Sequence, residues 1–270
     1  MDVHAMNADQ GRICVEHDGR TTVITIDRPA ARNALTPEMH QALGQAFDAF
    51  AADPDQWIAI ITGAGDKAFS AGSDLKRAAA AAAPPGPSPW SGGYGGLAAR
   101  FDLTKPVIAA VNGVAVGGGF EIALACDIII AADTASFGLP EPAVGVAAIG
   151  GGLHRLPRQI GYKKAMGLIL TGARVGAVEG ERLGFVNEVV PATELMAAAR
   201  RWADAILVNS PMAVRASKDV VRRGLEHADL AAALADQPNT PGLVAMWASA
   251  DYREGPRAFA EKRKPRWCGQ

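Results

Sequence analysis

The chain has 270 residues, enough for one large α/β unit or a core with a small appendage, and long enough to bury a substantial interior. A formal net charge of −1 leaves no whole-chain electrostatic case for nucleic acid or an anionic membrane surface. Apolar residues make up 49% and aromatic ones 6%, and the three cysteines (Cys14, Cys126, Cys268) are scattered without CxxC pairing, which argues against a disulfide framework or a zinc site.

The polar start lacks a basic-then-apolar signal, and no apolar run approaches the ~20 residues of a membrane span. With the cysteine usage, this predicts a cytoplasmic globular protein. Residues 14–17 and 21–27 alternate apolar and polar around Asp18-Gly19, which predicts a β-hairpin with a tight turn. Thr36 reads as an N-cap, with Pro37 at the first helical position and Glu38 in the first turn. Met39, Leu43, Phe47 and Phe50 follow at helical spacing, to an end near Asp53-Pro54.

Residues 57–62, 106–111 and 128–132 are short continuous apolar runs, the pattern of strands buried on both faces. A helical stretch at 119–126 lies between the last two, so crossover units and an α/β core are expected. Residues 186–190 are a further candidate strand. Beyond Pro191 the texture becomes helical, with stretches at 193–208, 211–225, around 228–250 and at 256–263. The expected division is an α/β core over 1–192 and a helical region over 193–270. Residues 77–97 combine alanines, PPGPSP and WSGGYGG, which predicts a mobile loop serving as a linker or a substrate-covering lid.

Three constellations have chemical potential. Ala71-Gly72-Ser73-Asp74-Leu75-Lys76 follows a buried strand and is small enough at its start for a ligand to approach the backbone; its bland alternative is an ordinary loop with Asp74 as a helix cap. Gly117-Gly118-Gly119-Phe120-Glu121 leaves free N–H groups at the positive end of a helix, suited to an anionic oxygen, without the Rossmann or P-loop spacing. Pro140-Glu141-Pro142, followed by Gly150-Gly151-Gly152, sets a carboxylate in an apolar stretch, where burial raises its pKa towards the range of proton transfer. Glu121 and Glu141 lie on different elements, so their convergence cannot be read from spacing. No histidine stands in metal-ligand spacing, and Ser70 and Ser73 have no evident base for nucleophilic catalysis.

In order and spacing, these motifs resemble the enoyl-CoA hydratase/isomerase (crotonase) family. The likeness includes Asp27-Arg28-Pro29 with Asn33-Ala34-Leu35, then 69–76, 117–121 and Pro140-Glu141. Thr171-Gly172, 184–190 and Phe259-Ala260-Glu261-Lys262-Arg263 complete it. The nearest branch is the one containing carnitinyl-CoA dehydratases, although Ser73 replaces a bulky residue and Gly150–Gly152 makes the acyl side look roomy. The resemblance implies an α/β, ClpP-like spiral of ββα units with a helical C-terminal trimerisation region, forming a trimer or hexamer. It implies an oxyanion hole from the backbone N–H groups of Ser73 and Gly118. Glu121 becomes the base on water and Glu141 the proton donor to the α-carbon.

Ala71, Ser73, Asp74, Leu75, Lys76, Gly117 and Gly118, with Phe259 and Lys262 from the tail, are implied to contact an acyl-CoA. Coenzyme A is then part of the substrate, with no separate cofactor or metal. The alternatives are another crotonase reaction (isomerisation, decarboxylation or thioester hydrolysis) and a non-catalytic CoA-binding protein.

Overall fold

The computed structural model describes residues 11–74 and 91–270. Strands β1 (Arg12–Asp18) and β2 (Thr21–Asp27) form the expected antiparallel hairpin, paired from Arg12↔Asp27 to Asp18↔Thr21. Helix α1 (Pro37–Ala52) starts at Thr36, whose hydroxyl accepts the Met39 N–H at 3.3 Å. It buries Met39, Leu43, Phe47 and Phe50 and returns the chain so that β3 (Ile58–Gly63) lies parallel to β2.

From β3 onward the chain alternates between two sheets. Strands β3, β5 (Val107–Val111) and β7 (Ile128–Ala132) belong to a six-stranded sheet of order β1-β2-β3-β5-β7-β10, with β10 at Glu188–Val190. Each is followed by a three-residue strand, β4 (Ala68–Ser70), β6 (Val114–Val116) or β8 (Ser136–Gly138). These short strands build a second sheet of order β4-β6-β8-β9, with β9 at Arg174–Gly176. All pairings are parallel except β1 with β2 and β8 with β9. Every residue of β3 and β5 is buried, which accounts for their unbroken apolar sequences.

Helix α2 (Gly118–Ala125) lies between β6 and β7. The stretch between β8 and β10, not assigned from sequence, holds α3 (Gly152–Ile160), α4 (Tyr162–Thr171) and α5 (Ala177–Leu183). Phe120 of α2, Phe137 of β8 and Phe185 beyond α5 pack with ring centroids 5.1–5.3 Å apart, tying these elements together.

Beyond Pro191 lie α6 (Leu195–Leu207), α7 (Pro211–Gly224), α8 (Leu230–Asp236), α9 (Pro241–Ala248) and α10 (Ala250–Ala260). The face of α6 formed by Leu195, Ala198, Ala199 and Ala203 packs on the larger sheet. On α7, buried Asp219 accepts the Gly242 N–H at 3.0 Å and pairs with Arg223 at 2.9 Å, so one carboxylate caps α9 and satisfies its own helix.

The stretch expected around 228–250 is two helices, because Pro238 and Thr240-Pro241 interrupt the ladder. The last helix begins at Ala250 rather than Pro256, since Ser249 caps it by accepting the Tyr252 N–H at 3.1 Å. Among the described residues, no helix is long and apolar enough to cross a membrane.

The Asp27–Leu35 motif is a structural clasp. Asn33 is fully buried in a left-handed backbone conformation, φ 56°. Its amide accepts the Arg28 N–H at 2.9 Å and donates to the carbonyls of Ala68 at 2.7 Å and Ala64 at 3.0 Å. The Ser70 hydroxyl donates to the Asn33 carbonyl at 2.8 Å. The Asn33→Ala variant is expected to lose roughly 2–4 kcal/mol of stability, since it orphans buried backbone groups and retains an unfavourable φ. Urea unfolding midpoints of the two proteins check this; a difference within ±0.5 kcal/mol contradicts it.

Candidate active site

Strands β4, β6 and β8 are adjacent and parallel, so their carboxyl ends open on one edge of the smaller sheet. Ser73 follows β4, Gly117, Gly118 and Glu121 follow β6, and Glu141 follows β8. This topology brings Glu121 and Glu141 together, which spacing alone could not show. Carboxyl ends of parallel strands are a common place for ligand sites.

The turn after β4 is held by the clasp through a parallel bridge between Leu35 and Ser73. Leu35 N–H donates to the Gly72 carbonyl at 2.8 Å and Asp74 N–H to the Leu35 carbonyl at 3.1 Å. In such a bridge the bracketed residue's own N–H faces the opposite side, so Ser73 N–H is directed away from the clasp. Arg28 anchors the far end through an ion pair to Asp74 at 2.8 Å, with both side chains largely enclosed.

Gly118 opens α2, so its N–H has no acceptor within the helix and lies at the positive end of the dipole. Gly117 adopts φ 56°, ψ −131°, a conformation suited to glycine, and a Cβ there would stand 3.0 Å from Glu141 Oε1. A Cβ on Gly72 would stand 2.9 Å from the Gly118 nitrogen, so the two turns are in direct contact. Two backbone donors and two carboxylates thus share one edge.

Glu121 is 3% exposed, and its Oε1 accepts the Gly152 N–H at 2.9 Å. Burial pushes its pKa up to about 7, assisted by the charge of Glu141 and opposed by the N–H groups of Gly152 and Gly150 and by Arg155. Glu141, in a 3-10 turn (Glu141–Val144), is half-buried and its pKa is also raised by burial. Its Oε2 is buried and accepts no hydrogen bond from any described residue. The sequence reading assigned both groups to proton transfer, and their surroundings suit that chemistry.

The space suggested by Gly150-Gly151-Gly152 is already used. A Cβ on Gly150 would overlap the Glu121 carboxylate, one on Gly151 would overlap the Arg155 guanidinium, and one on Gly152 would stand 3.1 Å from Glu121. These glycines make room for the side chains of Glu121 and Arg155, so the space they leave is filled within the chain.

Three lining residues were missed from the sequence. Tyr94 donates to or accepts from the Ser73 hydroxyl at 3.0 Å, His40 meets the Tyr94 ring edge-on at 4.5 Å between centroids, and Arg155 reaches the Ala98 carbonyl at 2.8 Å. The aromatic in GGYGG was the only available signal for Tyr94. His40 was masked by its place on an amphipathic helix; burial lowers its pKa to about 4, so it stays neutral.

Ala71, Ser73, Asp74, Gly117 and Gly118 line a cleft of 2970 Å³ with both glutamates. That volume exceeds ordinary small-ligand pockets of roughly 300–1,000 Å³ and suits a long, branched ligand. Leu75, Lys76 and residues 77–90 of the expected loop lie outside the described residues. Phe259, 87% exposed, and Lys262 do not line the cleft within a single chain. Arg263 is held by Glu254 at 2.5 Å and Glu261 at 2.6 Å, so the basic cluster at 262–264 is partly neutralised internally. Ser70 is committed to the clasp, which removes it as a nucleophile.

The family model for enoyl-CoA hydratase/isomerase matches residues 16–270. A carnitinyl-CoA dehydratase of Proteus mirabilis is 44% identical over 256 residues, covering 93% of this chain and 96% of its own. The crystal structure of an enoyl-CoA hydratase from Mycobacterium tuberculosis superposes with a TM-score of 0.87 at 40% identity, covering 96% of this chain and 99% of that one. An enoyl-CoA hydratase from Bacillus anthracis gives 0.84 at 35% identity, with coverage of 96% and 99%.

Because burial raises the folded-state pKa of Glu121 from 4.5 to about 7, its neutral form is favoured on folding. Its contribution to stability is full below pH 4.5 and is lost as pH rises through about 7. Glu121→Gln keeps an acceptor for Gly152 without the charge. It is expected to gain stability over wild type between pH 5 and pH 8, by at most about 3 kcal/mol. Urea titrations at the two pH values measure it, and an unchanged difference contradicts the burial account.

Proposed function

The chain belongs to the enoyl-CoA hydratase/isomerase family, and we propose that it adds water to, or removes it from, the 2,3 position of an acyl-CoA thioester, with Glu121 and Glu141 moving the protons. The observation that carries the role assignment is the carboxylate pair itself. Glu121 is buried and fixed by Gly152, and Glu141 holds on the same edge a buried oxygen that accepts no hydrogen bond from any described residue.

The thioester oxygen accepts from the N–H groups of Ser73 and Gly118, which stabilise the negative charge of the enolate. Each such donor is typically worth about 3–4 kcal/mol in the transition state. In hydration, Glu121 takes a proton from water as its oxygen bonds to C3, and the C2–C3 π electrons pass into the enolate. Glu141 then delivers a proton to C2. The pair ends with its single proton on Glu121, and dehydration runs the same steps backwards.

Burial raises the pKa of Glu121 to about 7, so near neutrality a large share of the free site carries a proton on Glu121. That is the starting state for dehydration: Glu141 accepts the C2 proton while Glu121 protonates the departing hydroxyl. The names of the curated relatives agree with this direction and make a 3-hydroxyacyl thioester of the carnitinyl type the first substrate to test.

Arg32, Arg158 and Arg174 also line the cleft and offer positive charge to the CoA phosphates. Exposed apolar side chains on the C-terminal helices, among them Val221, Leu225, Leu234 and Trp247, support assembly as a homo-oligomer, which we read as a trimer or hexamer. No separate cofactor or metal enters this scheme.

With crotonyl-CoA followed at the enoyl-thioester absorbance, Glu141→Gln is expected to lower kcat by roughly 10²–10⁴-fold with little change in KM. Equal rates for the two proteins would remove Glu141 from the mechanism, and free CoA as the product would indicate thioester hydrolysis instead. In the dehydration direction, kcat/KM is expected to fall as pH rises through about 7, where Glu121 loses its proton. A pH profile flat on a logarithmic scale across roughly two units either side of that midpoint contradicts the acid role.

A further inference from the structure

Tyr94 stands inside the cleft, and no step above uses it. Its neighbours Gly92, Gly93, Gly95 and Gly96 have φ of 72°, 75°, 61° and 66°, a backbone path that residues with a Cβ rarely follow. The turn is pinned from several sides. Gly95 N–H donates to His40 Nδ1 at 3.1 Å, and a Cβ on Gly95 would overlap Ile122 of α2. Gly96 lies directly on the backbone of Gly44 in α1. Arg155 holds the Ala98 carbonyl at 2.8 Å, and Arg100 pairs with Asp48 at 2.6 Å. A turn held to both α1 and α3 presents a fixed side chain.

That side chain crosses the cleft. Tyr94 Cβ is 3.0 Å from where a Cβ on Gly150 would stand, a Cβ on Gly118 would overlap the ring, and the hydroxyl reaches Ser73 Oγ at 3.0 Å. The phenol therefore runs beside Glu121 and along both residues that carry the backbone donors. A chain extending from a thioester held by those donors meets the ring as a wall.

We propose that Tyr94 is the specificity-determining residue of the acyl site: its ring closes the space beside Gly118 against long straight chains, and its hydroxyl, paired with Ser73, gives the wall a polar point suited to a short acyl group bearing a polar substituent. The inference rests on the reading of the cleft as a CoA-thioester site and goes beyond it by naming the class of acyl group. The Phe120–Phe137–Phe185 cluster fills the core, whereas Tyr94 lines the cleft with Glu121 and Glu141.

Calorimetric binding of butyryl-, octanoyl- and dodecanoyl-CoA by wild type, Tyr94→Phe and Tyr94→Ala tests it. Wild type and Tyr94→Phe are expected to prefer butyryl-CoA. Tyr94→Ala is expected to gain about tenfold or more for octanoyl- relative to butyryl-CoA. Tyr94→Val carries the same expectation should the alanine variant fail to fold. Identical relative affinities in wild type and the truncated variants overturn the proposal.

Saturated thioesters undergo no hydration, so the outcome is independent of the glutamates. A chain-length change without turnover of crotonyl-CoA leaves the proposal standing and removes the hydratase reading. No binding of any thioester by any of the proteins removes both.

Discussion

The turn after β4 and the first turn of α2 touch through backbone alone, and the proposed chemistry depends on that approach. A Cβ on Gly119 would overlap the Ser70 carbonyl, and one on Gly72 would crowd the Gly118 nitrogen. Side chains at these positions would separate the two turns, and with them the N–H groups of Ser73 and Gly118. A pair of donors acts on one oxygen only when both lie within hydrogen-bonding distance of it, so small residues here serve the proposed charge stabilisation as well as packing.

The supports of this contact lie far from it in sequence. The Asp27–Leu35 clasp presses on the β4 turn through Asn33, Leu35 and the Arg28–Asp74 pair. On the other side, Gly117 N–H donates to the Gly138 carbonyl at 2.9 Å, linking the α2 turn to the strand that precedes Glu141. Burial then does the electrostatic work. A carboxylate almost removed from water beside a second one keeps a proton near neutrality, whereas the same residues on an exposed helix end would be fully ionised.

Much of the framework was legible in the sequence because it follows short-range rules. The hairpin around Asp18-Gly19, the Thr36-capped helix and the buried runs of β3, β5 and β7 each declare themselves by periodicity or capping. The smaller sheet did not. Its strands have three residues each, too few for a period to register, and they are defined by their neighbours. Helices 152–183 were hidden by glycines at their starts and by Pro157 inside the first. Glu121 and Glu141 were found as residues, but their meeting depends on β6 and β8 being adjacent, a long-range fact. Tyr94 and His40 were missed for the same reason, and Gly150–Gly152 was misread because glycine marks space without saying what fills it.

The repeating two-sheet path also bears on how the protein acquires its activity during folding. Ser73, Gly118 and Glu141 come from three successive strand pairs, each closed by parallel pairing that brings distant parts of the chain together. Such contacts carry a loop-closure cost that must be met before any of them stabilises the chain. A chain with only α1 and the β1–β2 hairpin in place holds none of the strand ends that carry these three residues. In the proposed mechanism, turnover therefore requires the smaller sheet to be assembled through its third strand, β8.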